Sequence, residues 1–252
     1  MELELTGKTA LVTGGSRGIG RAIAVRLGEC GARVAINYVR NTSAAEETAA
    51  RIREAGGEAL VLRANVGKPE QIEQMFSSLR EAWGPRLDIL VSNAASGVIK
   101  PALELTWHHW DWTMGINAAT LLPLAQRARE MMQEGGHIVA VSSLGALRAI
   151  PMYAAVGASK AALEALVRHL AVELAPGGIK VNAVSAGLVE TDALKHFKNR
   201  DDILGNSKIK TPAGRLTEPR DVANIVLFLV SPLADMVIGQ TVTVDGGYSV
   251  LA

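Results

Sequence analysis

A glycine-rich segment near the amino terminus has the composition and position of a phosphate-binding turn. The apolar run over residues 9–12 is followed by TGGSRGIG, which places Gly14, Gly18 and Gly20 between that run and a helical pattern. Glycines let the backbone turn tightly and let a pyrophosphate approach the amino terminus of the following helix. A purely structural turn is the alternative interpretation. The position directly after the first predicted strand favours dinucleotide binding.

The end of the second predicted strand indicates which dinucleotide is bound. Sites for NAD commonly carry a carboxylate there, which holds the ribose hydroxyls. Here the strand ends in INYVRN without a carboxylate, whereas Arg40 lies just beyond it and Arg17 lies inside the glycine-rich segment. Two guanidinium groups can hold a ribose 2′-phosphate through charge-assisted hydrogen bonds. The sequence therefore predicts NADPH as the cofactor, and the alternative is that both arginines are solvated surface charges.

Two adjacent histidines, His108 and His109, lie beside Trp110 and Trp112 and raise the question of a metal site. Neighbouring residues on a helix point about 100° apart, so the two imidazoles cannot easily share one ion. We expect the tryptophans to pack, and we predict no metal site.

The elements that must position these residues alternate between short apolar runs and longer helical patterns. The runs are rich in Val, Ile and Leu without strict polar alternation, as is typical of strands buried on both faces of a parallel sheet. We predict strands over residues 9–12, 33–37, 59–62, 89–91, 137–141, 180–184 and 241–244. We predict helices over residues 19–30, 43–55, 69–83, 106–133, 158–174 and 219–229.

This repeated alternation predicts an α/β fold, namely a single-domain, Rossmann-like, doubly wound parallel sheet of about seven strands flanked by helices. Neither a proline-rich nor a glycine- and serine-rich linker divides the sequence, so we interpret residues 1–252 as one domain. Residues 189–212 form the longest stretch without a clear pattern. A loop of that length inside a compact domain is usually functional.

The composition argues against several other classes of protein. The 252 residues suit one α/β domain, and 48% apolar residues are enough for a sizeable core. A net charge of +1 provides no overall field to attract nucleic acid or an anionic membrane. The single cysteine, Cys30, excludes a disulfide within the chain, and we expect a small buried side chain there. Without a signal-peptide pattern or an apolar stretch of about 20 residues, we expect a cytoplasmic protein.

Further motifs along almost the whole chain resemble those of the short-chain dehydrogenase/reductase family. Besides TGGSRGIG, they are Asn93-Ala94-Ala95, with alanine for the family's usual last glycine, VNAVSAG from Val181, and VDGG at 244–247. The resemblance implies that Asn65 and Val66 lie beside the adenine and that Thr191 contacts the nicotinamide end. The predicted cofactor-binding residues are Gly14, Ser16, Arg17, Gly18, Ile19, Gly20, Tyr38, Arg40, Asn65, Val66, Asn93, Ala94, Lys160 and Thr191.

The active site that the resemblance implies departs from the family's usual pattern at one position. That pattern combines a serine with a tyrosine and a lysine four residues apart on one helix face. Lys160 matches the lysine and Ser143 the serine, but four residues before Lys160 stands Val156, which cannot exchange a proton. The nearby tyrosine is Tyr153, seven residues before Lys160. Seven residues are about two helical turns, so both side chains can face one side with the phenol about one turn further along.

A displaced tyrosine suits the reduction of a double bond conjugated to a thioester. In a ketone the hydride goes to the carbonyl carbon itself, whereas in an enoyl thioester it goes to the β-carbon. The negative charge then appears on the thioester oxygen two carbons away, so the group that stabilises it must be displaced as well. Tyr-x6-Lys marks the enoyl-acyl-carrier-protein reductases within this family. NAASGVIKPALEL, HWDWTMGINA and TDALKHFKNRDD are similar to segments of their third isoform.

This resemblance implies an NADPH-dependent enoyl-acyl-carrier-protein (ACP) reductase of fatty-acid synthesis. Tyr153 is then expected to hydrogen-bond the thioester oxygen and Lys160 to hold the ribose hydroxyls, while a proton from solvent or a relay reaches the α-carbon. Asn117 matches an asparagine that supports a proton relay, and Ser143 matches the catalytic serine. For each of these two a purely structural role is the alternative. A 3-oxoacyl-ACP or other carbonyl reductase and a non-enzymatic dinucleotide-binding protein are the alternative functions.

The resemblance also implies where the substrate binds. It places a substrate lid at about residues 189–212, where Leu194 and Phe197 are expected to line an acyl channel. Ser96 is expected to form another wall, because ligands bind outside the carboxyl ends of parallel strands. Cationic residues outnumber anionic ones over 195–210, which favours an acidic ACP as the carrier of the enoyl group (or CoA as its analogue), unless this is an ordinary solvated loop. The family further implies a homotetramer.

Overall fold

A single seven-stranded sheet forms the centre of the molecule in this computed structural model, which describes residues 3–190 and 200–251. The strands are β1 (Thr9–Val12), β2 (Arg33–Tyr38), β3 (Glu58–Arg63), β4 (Ile89–Ser92), β5 (Gly136–Ser143), β6 (Ile179–Ala186) and β7 (Thr241–Val244). Their order is β3-β2-β1-β4-β5-β6-β7, and all neighbours are parallel. The chain winds outward from β1 and then, from β4 onward, in the opposite direction. The predicted doubly wound parallel sheet is confirmed.

Helices cover both faces of the sheet. In the described part of the chain they are α1 (Gly18–Glu29), α2 (Thr42–Glu54), α3 (Pro69–Trp83), α4 (Trp107–Met114), α5 (Leu121–Met131), α6 (Ala154–Leu174), α7 (Arg200–Lys210) and α8 (Pro219–Leu229). Buried side chains of α1, α2 and α8 form one core, and those of α3, α5 and α6 form the other. Every residue of β1 and β4 is buried. This double covering explains why the strands read as continuous apolar runs.

The predicted boundaries of the strands were accurate to within two residues, whereas three helical predictions need correction. The helix predicted over 106–133 is interrupted by a π-helical turn at Gly115–Ala119 and ends at Met131. The helix predicted over 158–174 begins four residues earlier, at Ala154, because its first turn is buried and lacks the polar face on which periodicity depends. The stretch 189–212, predicted to be irregular, contains α7.

The carboxyl ends of β1 and β4 meet at the point where the strand order reverses. There the Thr13 N–H donates to the carbonyl of Val91 at 2.9 Å. Crevices at such reversals are where open α/β sheets bind ligands. On the other side, a parallel bridge joins Val189, the first residue of the predicted lid, to Thr217, which lies five residues beyond the end of the lid. The fold therefore gathers the loops after β1, β4, β5 and β6 at one edge of the sheet.

The structure bears on membrane-spanning helices, on a metal site at the adjacent histidines and on the burial of Cys30. No helix in residues 3–190 or 200–251 combines the length and the apolarity that crossing a membrane requires. Within the same ranges no cluster of three or more His, Cys, Asp or Glu side chains could hold a metal ion. His109 instead caps α4, where its Nδ1 accepts from the Thr106 N–H at 3.2 Å. Cys30 is partly exposed at the end of α1, so the expectation of a buried side chain was wrong.

Candidate active site

The glycine-rich turn after β1 is a cradle shaped by missing side chains. Gly14 and Gly18 have φ of +63° and +55°, which residues with a Cβ rarely adopt. A Cβ on Gly20 would lie 2.3 Å from the carbonyl oxygen of Gly14 and 2.4 Å from Nδ2 of Asn93. The first turn of α1 therefore packs directly against the loop backbone. This geometry fits a pyrophosphate.

The neighbouring strand ends hold this loop in place. The Thr13 hydroxyl accepts hydrogen bonds from the backbone N–H groups of Asn93 and Ala94, at 2.9 and 3.1 Å. The side-chain amide of Asn93 in turn donates hydrogen bonds to the carbonyls of Thr13 and Gly14, at 2.9 and 3.1 Å. The predicted cofactor residues Asn93 and Ala94 thus lie beside the loop, and the Asn93 amide is used to fix the loop's shape. Thr13, which sequence reasoning missed, directly precedes the first glycine, and that position is the signal that could have found it.

The end of β2 presents cations and no carboxylate to the crevice. Asn37 is buried, accepts from the Gly14 N–H at 3.3 Å and donates to the carbonyls of Leu62 and Ala64. Tyr38 is also buried, with its hydroxyl 3.1 Å from that of Thr42. Arg40 and Arg17 are exposed on either side of this strand end. The residues present therefore fit the ribose end of a dinucleotide.

Ser16, Ile19, Asn65 and Val66 complete the predicted cofactor residues that the structure describes. The Ser16 carbonyl accepts from the guanidinium of Arg21 at 2.8 and 3.1 Å, which fixes the middle of the loop. Ile19, partly exposed, lies in the first turn of α1. The Asn65 side chain accepts from the Gly67 N–H at 3.0 Å, and Val66 is buried. Both follow β3, whose carboxyl end lies at the same edge of the sheet, and their contact with an adenine stays a prediction.

Tyr153 stands at the N-cap of α6 rather than inside the helix. Two hydrogen bonds fix its backbone. The Tyr153 N–H donates to the carbonyl of Ile150 at 3.1 Å, and the Tyr153 carbonyl accepts from the Gly157 N–H at 2.7 Å. Its ring lies against the backbone of Gly145, where a Cβ would be 2.6 Å from Cε1. The hydroxyl donates over 3.5 Å to Oγ of Ser143. Burial raises the pKa of the phenol and the Ser143 contact opposes this rise only in part, so Tyr153 is protonated at neutral pH.

A strained residue directly precedes this tyrosine. Met152 has φ of +64°, and it is the one described residue other than glycine with a positive φ. Its carbonyl accepts from the Lys100 N–H at 3.0 Å, so the loop after β4 holds the turn that presents Tyr153. Strained backbone of this kind persists where the surrounding structure fixes it, which is common at functional sites.

Lys160 and Val156 occupy the next two turns of α6. Lys160 is 6% exposed and donates from Nζ to the carbonyl of Val141 at 2.7 Å. Burial lowers its pKa to about 8. Val156 is buried and packs against Gly97 in the loop after β4. The contact is so close that a Cβ on Gly97 would lie 2.4 Å from Cγ2 of Val156. The position that carries tyrosine in the usual pattern is therefore covered, and the phenol lies about one turn further along.

The structure places the other predicted site residues as follows. Asn117, in the π-helical turn, accepts from the Ser96 N–H at 2.8 Å and donates to the Ser159 hydroxyl at 2.9 Å. It therefore ties the loop after β4 to α6, and its predicted relay role stays a prediction. A cavity of about 360 Å³ adjoins Tyr153 and is lined by the turn over residues 145–150 and the start of α6. Thr191, Leu194 and Phe197 lie outside the described residues, as do the other residues of the predicted lid between 191 and 199.

Comparison with known proteins identifies the family. The family model described as Enoyl-(Acyl carrier protein) reductase matches residues 14–249. The chain belongs to the short-chain dehydrogenase/reductase family. Membership in it makes the chain an oxidoreductase of the reductase type, with a fold that binds a nicotinamide dinucleotide.

Relatives along the whole chain agree with this membership. A 1-cyclohexenylcarbonyl-CoA reductase from Streptomyces collinus is 40% identical over 247 residues, which cover 97% of this chain and 88% of that protein. A tetrahydroxynaphthalene reductase from Pyricularia oryzae is 33% identical over 255 residues, covering 96% and 90%. The solved structure of a short-chain type dehydrogenase/reductase from Mycobacterium marinum superposes with a TM-score of 0.89 at 32% identity, covering 98% and 97%.

Proposed function

We propose that this short-chain dehydrogenase/reductase is an enoyl-ACP reductase that uses NADPH to reduce a trans-2-enoyl thioester in fatty-acid synthesis. The observation that carries the proposal is the position of the phenol. Tyr153 lies at the N-cap of α6, while the usual tyrosine position, Val156, is buried beneath Gly97. The site therefore offers its proton-bearing hydroxyl one helical turn away from the place suited to a simple ketone.

The chain's own residues supply the stabilisation that this reaction requires. When bound, a reduced nicotinamide would supply the hydride that the β-carbon accepts, and a proton from solvent or a relay would complete the C–H bond at the α-carbon. The electron pair of the double bond moves toward the thioester oxygen during the transfer. The Tyr153 hydroxyl, protonated at neutral pH and with a pKa that burial raises further, donates to that oxygen. A donor fixed before the reaction stabilises developing negative charge without reorganisation. Lys160 contributes a buried positive charge beneath the same site.

The relatives favour two chemistries, and the geometry favours one of them. The Streptomyces collinus relative is named for a cyclohexenylcarbonyl thioester, in which the double bond is conjugated to the thioester carbonyl. The Pyricularia oryzae relative is named for an aromatic polyol, which supports a carbonyl reductase as the second candidate. The contact of Tyr153 with Ser143 also favours this second candidate, because a serine and a tyrosine together can orient a ketone. The buried Val156 favours the enoyl thioester.

The residues around the ribose pocket support NADPH as the cofactor. Asn37 is committed to backbone groups, and the segment from Asn37 to Arg40 contains no carboxylate to repel a phosphate. Arg17 and Arg40 are exposed on either side of the end of β2, where their positive charges favour a 2′-phosphate.

We also propose a homotetramer that acts in the cytoplasm on ACP-linked substrates. Large apolar side chains on α4 and α5 support association, because Trp107, Trp112 and Leu122 are 77%, 40% and 44% exposed. Sedimentation at micromolar concentration tests the tetramer. A protein that sediments as a monomer contradicts it.

One assay separates the candidate functions. Purified protein is incubated with NADPH and either a trans-2-enoyl thioester or a 3-oxoacyl thioester, and oxidation of the cofactor is followed by its absorbance. We expect oxidation with the enoyl substrate and little with the oxo substrate, and faster oxidation with ACP than with CoA as the carrier. Oxidation with the oxo substrate alone would establish the carbonyl reductase. No oxidation with either thioester, together with tight NADPH binding, would favour a non-enzymatic protein.

A further inference from the structure

A buried glutamate that the proposed chemistry does not use lies one turn beyond Lys160 on α6. Glu164 is 4% exposed, and its Oε1 accepts a 2.6 Å hydrogen bond from the hydroxyl of Ser142, which is also 4% exposed. The preceding residue of β5, Val141, accepts the hydrogen bond from Lys160 Nζ at 2.7 Å. Two consecutive strand residues therefore hold two oppositely charged side chains of one helix. Side chains four residues apart on a helix are neighbours.

The burial of these groups requires mutual compensation. An isolated ionised side chain is costly to remove from water, and it loses its charge unless an opposite charge or hydrogen bonds stabilise it. Burial lowers the pKa of Lys160, and the negative charge of Glu164 opposes that effect. Tyr153, at the start of the same helix, brings no charge at neutral pH, because a phenol is neutral there and burial raises its pKa further.

We propose that Glu164 is a positioning residue that supplies the buried counter-charge of Lys160, with its carboxylate held in place by the Ser142 hydroxyl. The carboxylate keeps the ammonium ionised and in one geometry before any ligand binds. Ser142 and Ser143 then have separate tasks, because Ser143 contacts Tyr153 whereas Ser142 contacts Glu164. The inference rests on the proposed function only in assigning Lys160 to the site, and its test needs neither cofactor nor substrate.

The test measures the pKa of Lys160 in the apo protein. Lysine labelled with ¹³C at Cε is followed by NMR from pH 6 to 11, and a Lys160→Met variant identifies the resonance. Glu164→Gln keeps the size of the side chain and an oxygen for Ser142 but removes the charge. We expect the Lys160 pKa to fall by about 1 to 2 units, as is typical when a nearby opposite charge is lost. Glu173→Gln, an exposed change of the same charge on the same helix, should leave it unchanged.

An unchanged Lys160 pKa in folded Glu164→Gln protein would overturn the proposal. If that variant does not fold, Ser142→Ala decides instead. Without the hydroxyl the carboxylate is less well fixed, so a smaller fall in the same direction is expected, and no fall overturns the proposal. In the active enzyme the alkaline limb of the pH profile of kcat/KM should move to lower pH in Glu164→Gln, whereas a merely structural role lowers the rate at every pH alike. Absence of enoyl reduction by the wild type would contradict the proposed function and leave the NMR result standing.

Discussion

The glycine-rich turn and the tyrosine site use missing side chains for opposite purposes. In the turn, the absence of a Cβ at Gly20 lets the helix α1 pack directly on the backbone of Gly14, and this leaves a cradle for a ligand. At the other site, the absence of a Cβ at Gly145 lets the ring of Tyr153 pack directly on the backbone. The turn is contiguous in sequence, whereas the tyrosine site combines the end of β5, the following turn and the start of α6. Binding and chemistry are therefore separable by mutation.

The largest expected effect is the loss of kcat when the hydroxyl of Tyr153 is removed, a change that should leave binding at the glycine-rich turn intact. Tyr153→Phe keeps the ring on Gly145 but removes the hydroxyl that faces Ser143. We expect kcat with an enoyl thioester to fall by about 100- to 1000-fold, as for the loss of one oxyanion donor, and the Kd of NADPH to stay unchanged. Steady-state kinetics and fluorescence titration measure the two quantities, with Tyr248→Phe as the matched control. Full activity in Tyr153→Phe protein would remove this hydroxyl from the mechanism.

The converse change affects binding. Gly20→Ala introduces a Cβ at 2.3 Å from a backbone oxygen, which cannot move without distorting the loop. Strain of about 1 to 3 kcal/mol corresponds to a rise of about 5- to 150-fold in the Kd of NADPH. Gly177→Ala is the control, because nothing lies within 4 Å of that position. An unchanged Kd would mean that the turn does not hold the cofactor.

A second glycine change sharpens the comparison. Gly145→Ala places a Cβ at 2.6 Å from Cε1 of Tyr153 and should displace the ring. We expect kcat to fall by about 10-fold because small misplacements of a catalytic group are costly, while the Kd of NADPH stays the same. If Gly145→Ala weakened NADPH binding and left kcat intact, the two regions would not be separable.

The cofactor preference tests the charged side of the turn. Arg40→Ala removes an exposed cation just beyond the end of β2, so the ratio of kcat/KM for NADPH to that for NADH should fall by about 5-fold or more. Arg129→Ala, exposed on α5, should leave the ratio unchanged. If Arg40→Ala left the ratio unchanged, Arg40 would be a solvated surface charge that does not contact the cofactor.

The smallest effect concerns the strain beside Tyr153. Met152→Asn places a residue that tolerates φ of +64° at this position. We expect stabilisation by about 1 kcal/mol, seen as a rise of about 2 to 4 °C in Tm. Met236→Asn, at a surface methionine without positive φ, is the control. A fall in Tm for Met152→Asn would show that the methionine side chain contributes more than the strain costs.

The sequence by itself determined the fold class, the glycine-rich turn and the lack of a carboxylate after β2. Each of these depends on residue types that are neighbours in the chain or on a period of two or 3.6 residues, which local sequence contains. The same local view missed the π-helical turn and the first turn of α6, because buried helix without a polar face has no period to detect.

Only the tertiary structure decided how the candidate active site is assembled. Asn117 joins Ser96 to Ser159, which lies 42 residues away, and Ser142 joins Glu164 across 22 residues. Val156 is covered by Gly97 from a different loop. Such contacts depend on how α6 packs on the end of β5 and on the loop after β4, and no spacing along one helix contains that information. The glycine-rich turn could be recognised from eight consecutive letters, whereas the surroundings of Tyr153 had to be built by the fold.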